Sequence, residues 1–168
     1  MKVNRGKDFE KQVKKAMMKN PDISFDRFPD PMAGYAGVRN ICDFGVYYYP
    51  FQYYLECKAV SGNTLNFKSA ITEDQWNGLY EKSKIPGVIA GVLVWFIDWD
   101  ITTFISIQQL AKLKQMDCKS LNIRDIKDDK VLHFPLSGIK KRVLFDYDIT
   151  KLLIHLATWN SRGLSLLL

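Results

Sequence analysis

Apolar and polar residues alternate most regularly over Ile41 to Lys58, ICDFGVYYYPFQYYLECK. Side chains two apart on a strand share a face, so this pattern predicts two strands joined by a short turn. Cys42, Phe44, Val46 and Tyr48 would share an apolar face with Phe51, Tyr53, Leu55 and Cys57. Asp43, Gly45 and Tyr47 would share the opposite face with Gln52, Tyr54, Glu56 and Lys58. A turn centred between Tyr49 and Pro50 puts Asp43 directly across from Glu56, with Cβ atoms about 5 Å apart. Proline suits the second position of a tight trans turn poorly, so a four-residue loop or a bulge is expected there. Facing like charges are destabilising; a cation, either Lys58 or a metal ion, is therefore expected between them.

Periodicity organises the rest of the chain around this hairpin. Lys7 to Lys19 predicts an amphipathic helix with Phe9, Val13, Ala16 and Met17 on its core stripe. Glu10 borders that stripe and faces either the body of the protein or Lys14, its i+4 partner. Asn20-Pro21 ends the helix, and residues 22–39, with Pro29, Pro31, Gly34 and Gly37, read as loop. Ser61 to Asn63 is a turn. Thr72 to Gln75 has the T-x-x-Q form of a capping box opening a helix through about Ser83. Gln75 is thereby either a reciprocal cap or a polar group near the site. VIAGVLVWFI after Pro86-Gly87 predicts a central strand buried on both faces, with ITTFISI as its partner. Gln108 to Met116 is expected to be helical. LNIRDI and KVLHFPL are expected as short extended pieces, and Asp148 as the cap of a last helix, Ile149 to Trp159. The apolar tail GLSLLL would dock on the core or on a second subunit. The expectation is a single α/β domain over residues 1–168, with a mixed central β-sheet flanked by helices.

Composition narrows the function classes. The 168 residues carry 24 Lys and Arg against 18 Asp and Glu, a net charge of +6. Seven of the basic residues and two of the acids fall in the first twenty positions. Such a segment suits a polyanionic partner or, equally, a solvated helix surface. Three cysteines without a CxxC pair argue for a reducing compartment and against a zinc site. Cys42 and Cys57 are expected as neighbouring buried thiols rather than a disulfide. The polar opening MKVNRGKDFEKQ suggests no targeting signal, and no apolar run is long enough for a bilayer. The two histidines, His133 and His155, stand in unrelated contexts, which weakens a histidine-based hydrolase or metal nuclease. No P-loop, GxGxxG, GxSxG or HExxH is present.

What remains is Asp43, then twelve residues, then Glu56-Cys57-Lys58. Hydrolysing a phosphodiester requires neutralising the phosphate, activating water and stabilising the leaving oxygen. Mg²⁺ binds through one or two carboxylates together with phosphate and water. Asp43 and Glu56 would provide the carboxylates, and the Cys57 backbone carbonyl a third oxygen. Lys58 would orient water and offset charge in the transition state rather than act as a base beside two acids. A surface Asp–Lys–Glu salt bridge accounts for the same spacing, and taken alone it is the simpler account.

Longer stretches add to it. The D…ExK hairpin following a helix that bears Glu10 resembles the PD-(D/E)XK nuclease superfamily. NRGKDFE, RFPDP, CDFG, LECKA, LNFKSAITEDQ and KSLNI are similar to segments of the RecU-type Holliday-junction resolvases of Gram-positive bacteria and their phages. The resemblance spans most of residues 4–154 and implies a restriction-endonuclease-like fold. It implies that Asp43 and Glu56 bind Mg²⁺, with Mn²⁺ as a substitute, that Lys58 is catalytic, and that Glu10 and Gln75 belong to the site. Arg5, Lys7, Arg27, Arg39 and Lys68 would contact DNA. A homodimer acting on a four-way junction in a bacterial or phage-infected cytoplasm follows from the same resemblance. The segment from Pro31 to Asp43 is much shorter than in the bacterial family, where a projecting stalk enters the junction. The resemblance therefore bears more firmly on cutting than on branch selection. A sequence-specific endonuclease and a non-catalytic DNA-binding module are the other two readings.

Overall fold

A computed structural model describes residues 4–29 and 40–165. Helix α1, Arg5–Met18, starts where the Asn4 side chain accepts from the Lys7 N–H. It buries Phe9, Val13, Ala16 and Met17, the stripe expected from periodicity. After it comes β1, Ser24–Arg27, inside a stretch that reads as loop. Its four residues are mostly exposed, so they carry no burial pattern to announce an edge strand. β2, Phe44–Tyr48, and β3, Phe51–Val60, form the hairpin. β4, Thr64–Asn66, leads through the one-turn helix α2, Phe67–Ala70, to α3, Glu73–Ser83. β5, Val88–Phe96, is buried along nearly its whole length, as its continuous apolar run requires. β6, Ile101–Ser106, and α4, Ile107–Gln115, follow.

The later segment departs from expectation. LNIRDI divides between β7, Ser120–Asn122, and a short helix α5, Ile123–Lys127, which opens on the Asn122 side chain. Of KVLHFPL only β8, Phe134–Pro135, is strand. A hairpin of β9, Gly138–Lys141, and β10, Leu144–Tyr147, was not legible in the sequence, because β9 is exposed throughout and shows no alternation. Asp148 does cap the last helix, α6, Ile149–Ser165, by accepting from the Lys151 N–H.

The main sheet has the order β1-β2-β3-β5-β6-β8. β3 and β5 are parallel and the other neighbours antiparallel, which makes it the mixed sheet flanked by helices that the sequence predicts. One face packs under α1 and α6, with Phe44, Val46, Tyr53, Leu55, Leu93 and Trp95 in that layer. The other packs under α2 to α5 through Val92, Val94, Phe96 and Ile105. Among the described residues no helix is long and apolar enough to cross a membrane.

The hairpin register is the expected one, Phe44 facing Leu55 and Tyr48 facing Phe51. The expected four-residue loop or bulge is not formed: the turn has two residues, and the Tyr49–Pro50 peptide is cis, the isomer that proline adopts at the third residue of a type VI turn. The Cys42 and Cys57 thiols are free and buried. Cys42, placed just ahead of β2, joins the α2–α5 layer rather than the Phe44 face, while Cys57 joins the α1–α6 layer.

Candidate active site

The edge of β3 explains where the site lies. β1 ends at Arg27 and β2 begins at Phe44, paired to each other, and Phe44 in turn faces Leu55. β3 runs on to Val60, so past Leu55 one of its edges has no strand beside it among the described residues. Asp43 fills the start of this notch. Its backbone carbonyl accepts from the Phe28 N–H at 2.8 Å, and its carboxylate Oδ2 accepts from the Cys57 N–H at 2.8 Å. Asp43 thus sits beside Glu56 as the register demands, but it turns to the open edge of β3 instead of standing on the sheet face. A strand residue's N–H and C=O point to the same side, so the Cys57 carbonyl also opens into the notch.

Glu56 is 2% exposed. Its Oε1 accepts from Gln75 Nε2 at 2.7 Å and lies 2.7 Å from Lys58 Nζ. Gln75 arrives from the first turn of α3 because the capping box fixes it there. The Thr72 Oγ1 accepts from the Gln75 N–H at 3.2 Å, and Gln75 Oε1 accepts from the Thr72 N–H at 3.0 Å. The two roles considered for Gln75 are therefore held together, its carbonyl capping and its amide reaching the acid.

Glu10 comes from the other layer. Its carboxylate takes Arg27 Nη2 at 2.8 Å, a partner supplied by the unforeseen strand β1 rather than by Lys14. Its charge raises the carboxyl pKa of both Asp43 and Glu56. The three acids thus converge from the hairpin and from α1, with Lys58 and Arg27 as the cations among them.

Burial is the main cause that pushes Asp43 from 3.8 up to about 7, with the Glu56 charge next and the Cys57 N–H opposing. Glu56 is likewise raised, mostly by burial, against the pull of Lys58 and Gln75. Its second oxygen, Oε2, is buried with no hydrogen-bond partner. An orphaned carboxylate oxygen in an electronegative notch fits a cation ligand, since burying an unsatisfied polar group is otherwise costly. The donor set is all oxygen: Asp43, Glu56 and the Cys57 carbonyl. Among the described residues no group of three or more His, Cys, Asp or Glu side chains could by itself hold a metal ion. Such a site suits Mg²⁺, which takes one or two carboxylates and completes its shell with water and phosphate.

The expected DNA contacts are dispersed. Arg5 pairs with Asp8 at 3.6 Å; Lys7 is exposed on α1. Arg27 lies at the notch itself. Lys68 is exposed on α2 and lines a hollow with Trp76, Lys114 and Lys119. Arg39 and the shortened segment before Asp43 fall outside the described residues, except 40–43. One positioning contact escaped the sequence. A Cβ on Gly78 of α3 would lie 2.1 Å from Ile41 Cγ2 and 2.6 Å from Ile41 Cβ. The glycine lets α3 close against the chain two residues before Asp43. A glycine inside a helix is a hint of such an approach, but its partner cannot be read from sequence.

No family model and no curated protein matches this chain. Among solved structures it is similar to a 1.6 Å structure of Hjc, a Holliday junction resolvase from the archaeal hyperthermophile Archaeoglobus fulgidus. The TM-score is 0.45 and the identity 18%, over 62% of this chain and 78% of that one. A likeness at that level decides nothing about activity.

Proposed function

We propose that this protein is a divalent-metal-dependent DNA endonuclease of the PD-(D/E)XK type, with Mg²⁺ as its cofactor and Mn²⁺ as a substitute. The observation that carries the reading is the convergence of Asp43, Glu56 and Lys58 at an open strand edge, with Glu56 Oε2 buried and orphaned. A plain surface salt bridge would leave its carboxylates solvated, and among the described residues Glu56 is one of the most buried charged groups. Asp43, Glu56 and the Cys57 carbonyl would hold the cation, which supplies charge neutralisation at the phosphate and an activated water. Gln75 fixes the Glu56 carboxylate through Oε1 and leaves Oε2 to the ligand. Lys58, on the same carboxylate, is placed to stabilise charge that develops on the attacked phosphate. Glu10 and Arg27 border the site from the α1 side, Glu10 as a further acid and Arg27 as a phosphate contact once DNA competes for it.

The substrate is a four-way junction cut by a homodimer, an assignment supported by the RecU-like segments of the sequence. The test offers a labelled four-way junction and a linear duplex to the protein with Mg²⁺ or with EDTA. Paired symmetric nicks in the junction, absent with EDTA and lost by at least a hundredfold in Asp43→Asn and Lys58→Ala, are expected. Equal cutting of duplex removes the junction assignment, and discrete fragments from long linear DNA replace it with sequence specificity. Salt-sensitive binding without any metal-dependent cut in any DNA leaves a binding module only.

A further inference from the structure

The β9–β10 ribbon is a separate two-stranded sheet. β10 anchors it, since Phe145 and Tyr147 pack with Phe9 and Trp95. β9 and the turn project into solvent, with Ile139 67% and Val143 44% exposed. The end of β9 and the turn carry the charge. Lys140 is held by Asp100, whereas Lys141 and Arg142 have no ion pair to an acid among the described residues.

Helix α1 continues this surface. Opposite its buried stripe it exposes Lys7, Lys11, Lys14 and Lys15. Positions 7, 11 and 14 fall on one helix face, and 15 turns toward the ribbon. The single acid among them that does not face the notch, Asp8, is engaged by Arg5. At the C-terminal end of α1, Lys19 reaches Asp146 of β10, so helix and ribbon are tied together. Glu10, on the flank of this helix, belongs to the notch. From Glu10 to Lys19 is nine residues, roughly 14 Å of helix. A basic track therefore leads from the acid cluster along α1 to the ribbon tip.

We propose that the β9–β10 ribbon is a duplex-docking element which, with the outer face of α1, holds the DNA arm leading away from the catalytic notch. This rests on the endonuclease reading above. Lys141 and Arg142 would take backbone phosphates, and the exposed Ile139 and Val143 would lie against the groove wall, as two-stranded ribbons do in other DNA readers. The occupant is duplex rather than an apolar protein partner, because six cations, with Asp146 the acid near two of them, frame two modest apolar side chains.

Arg142 supplies a discriminating variant. Its φ of +56° is a left-handed conformation that glycine adopts without cost, so Arg142→Gly is expected to keep or raise thermal stability. The measurement is fluorescence anisotropy of a labelled four-way junction and a labelled linear duplex in EDTA, with salt varied, on the full chain. Lys141→Ala/Arg142→Gly should lower the slope of log affinity against log salt by about 2, and weaken binding on the order of tenfold at 0.1 M salt. Lys112→Ala/Lys130→Ala, which removes the same net charge on other elements, should keep the parent slope. If the ribbon variant matches this control while the parent binds and cuts DNA, the ribbon proposal is overturned and the nuclease reading stands. If the parent neither binds nor cuts any DNA, both fall together.

Discussion

The Asp43 carboxylate is destabilised by burial and by the charges of Glu56 and Glu10, and stabilised by the Cys57 N–H and the Lys58 charge. Burial and the Glu56 charge raise its pKa to about 7 from 3.8. Between those values the folded metal-free protein retains a proton that the unfolded chain has released. The unfolded state therefore binds fewer protons, and stability falls as pH rises through that window. Glu56, raised for the same main reason, adds in the same direction. In EDTA, the melting temperature is expected to drop by roughly 5 °C between pH 5 and pH 8. Asp43→Asn should flatten much of that slope, since the amide cannot ionise. A parent protein whose melting temperature climbs steadily over this range would contradict the electrostatic account of the notch.

At the scale of elements, the site depends on how closely α3 approaches the chain ahead of β2. Gly78 permits that approach, because a methyl group there would overlap Ile41. An exposed helical Gly→Ala change ordinarily gains about 1 kcal/mol. Here overpacking should cost roughly 1–3 kcal/mol and reverse the sign. Gly78→Ala is expected to melt lower than the parent and to cut about tenfold more slowly, because a displaced Ile41 carries Asp43 with it. A variant more stable than the parent and fully active would mean that α3 does not position the acid. This contact also marks the limit of what the sequence discloses. Periodicity identified α1, the hairpin, the capping box and β5, since each has a buried face that repeats with its own period. It missed β1 and β9, which bury almost nothing. It misassigned part of LNIRDI, where five helical residues are too few to show a period. Among site residues, Asp43, Glu56, Lys58 and Gln75 were legible because strand register and cap spacing are local rules. That Glu10 meets Arg27, and Ile41 meets Gly78, depends on tertiary packing between layers.

At the scale of the molecule, the proposed cation site would couple folding to metal binding. Two helical layers and a six-stranded sheet hold three carboxylates together, one of them almost fully buried with an oxygen unpartnered. The fold bears this cost without metal and, on the proposed reading, would recover it on binding, because a ligand taken only by the native state stabilises it. At a hundred times the dissociation constant that stabilisation is roughly 2.7 kcal/mol, or several degrees of melting temperature for a chain of this size. Glu56→Gln separates the two contributions. The isosteric amide keeps an acceptor for Gln75 but buries no charge, so it should melt higher than the parent in EDTA. It should also lose most of the rise that saturating Mg²⁺ gives the parent, and lose cleavage. Calorimetric scans of both proteins with EDTA and with Mg²⁺ make the comparison independent of turnover. Equal Mg²⁺-induced shifts in the two proteins would place the cation elsewhere. A destabilised Glu56→Gln in EDTA would show the carboxylate to be a structural ion pair with Lys58.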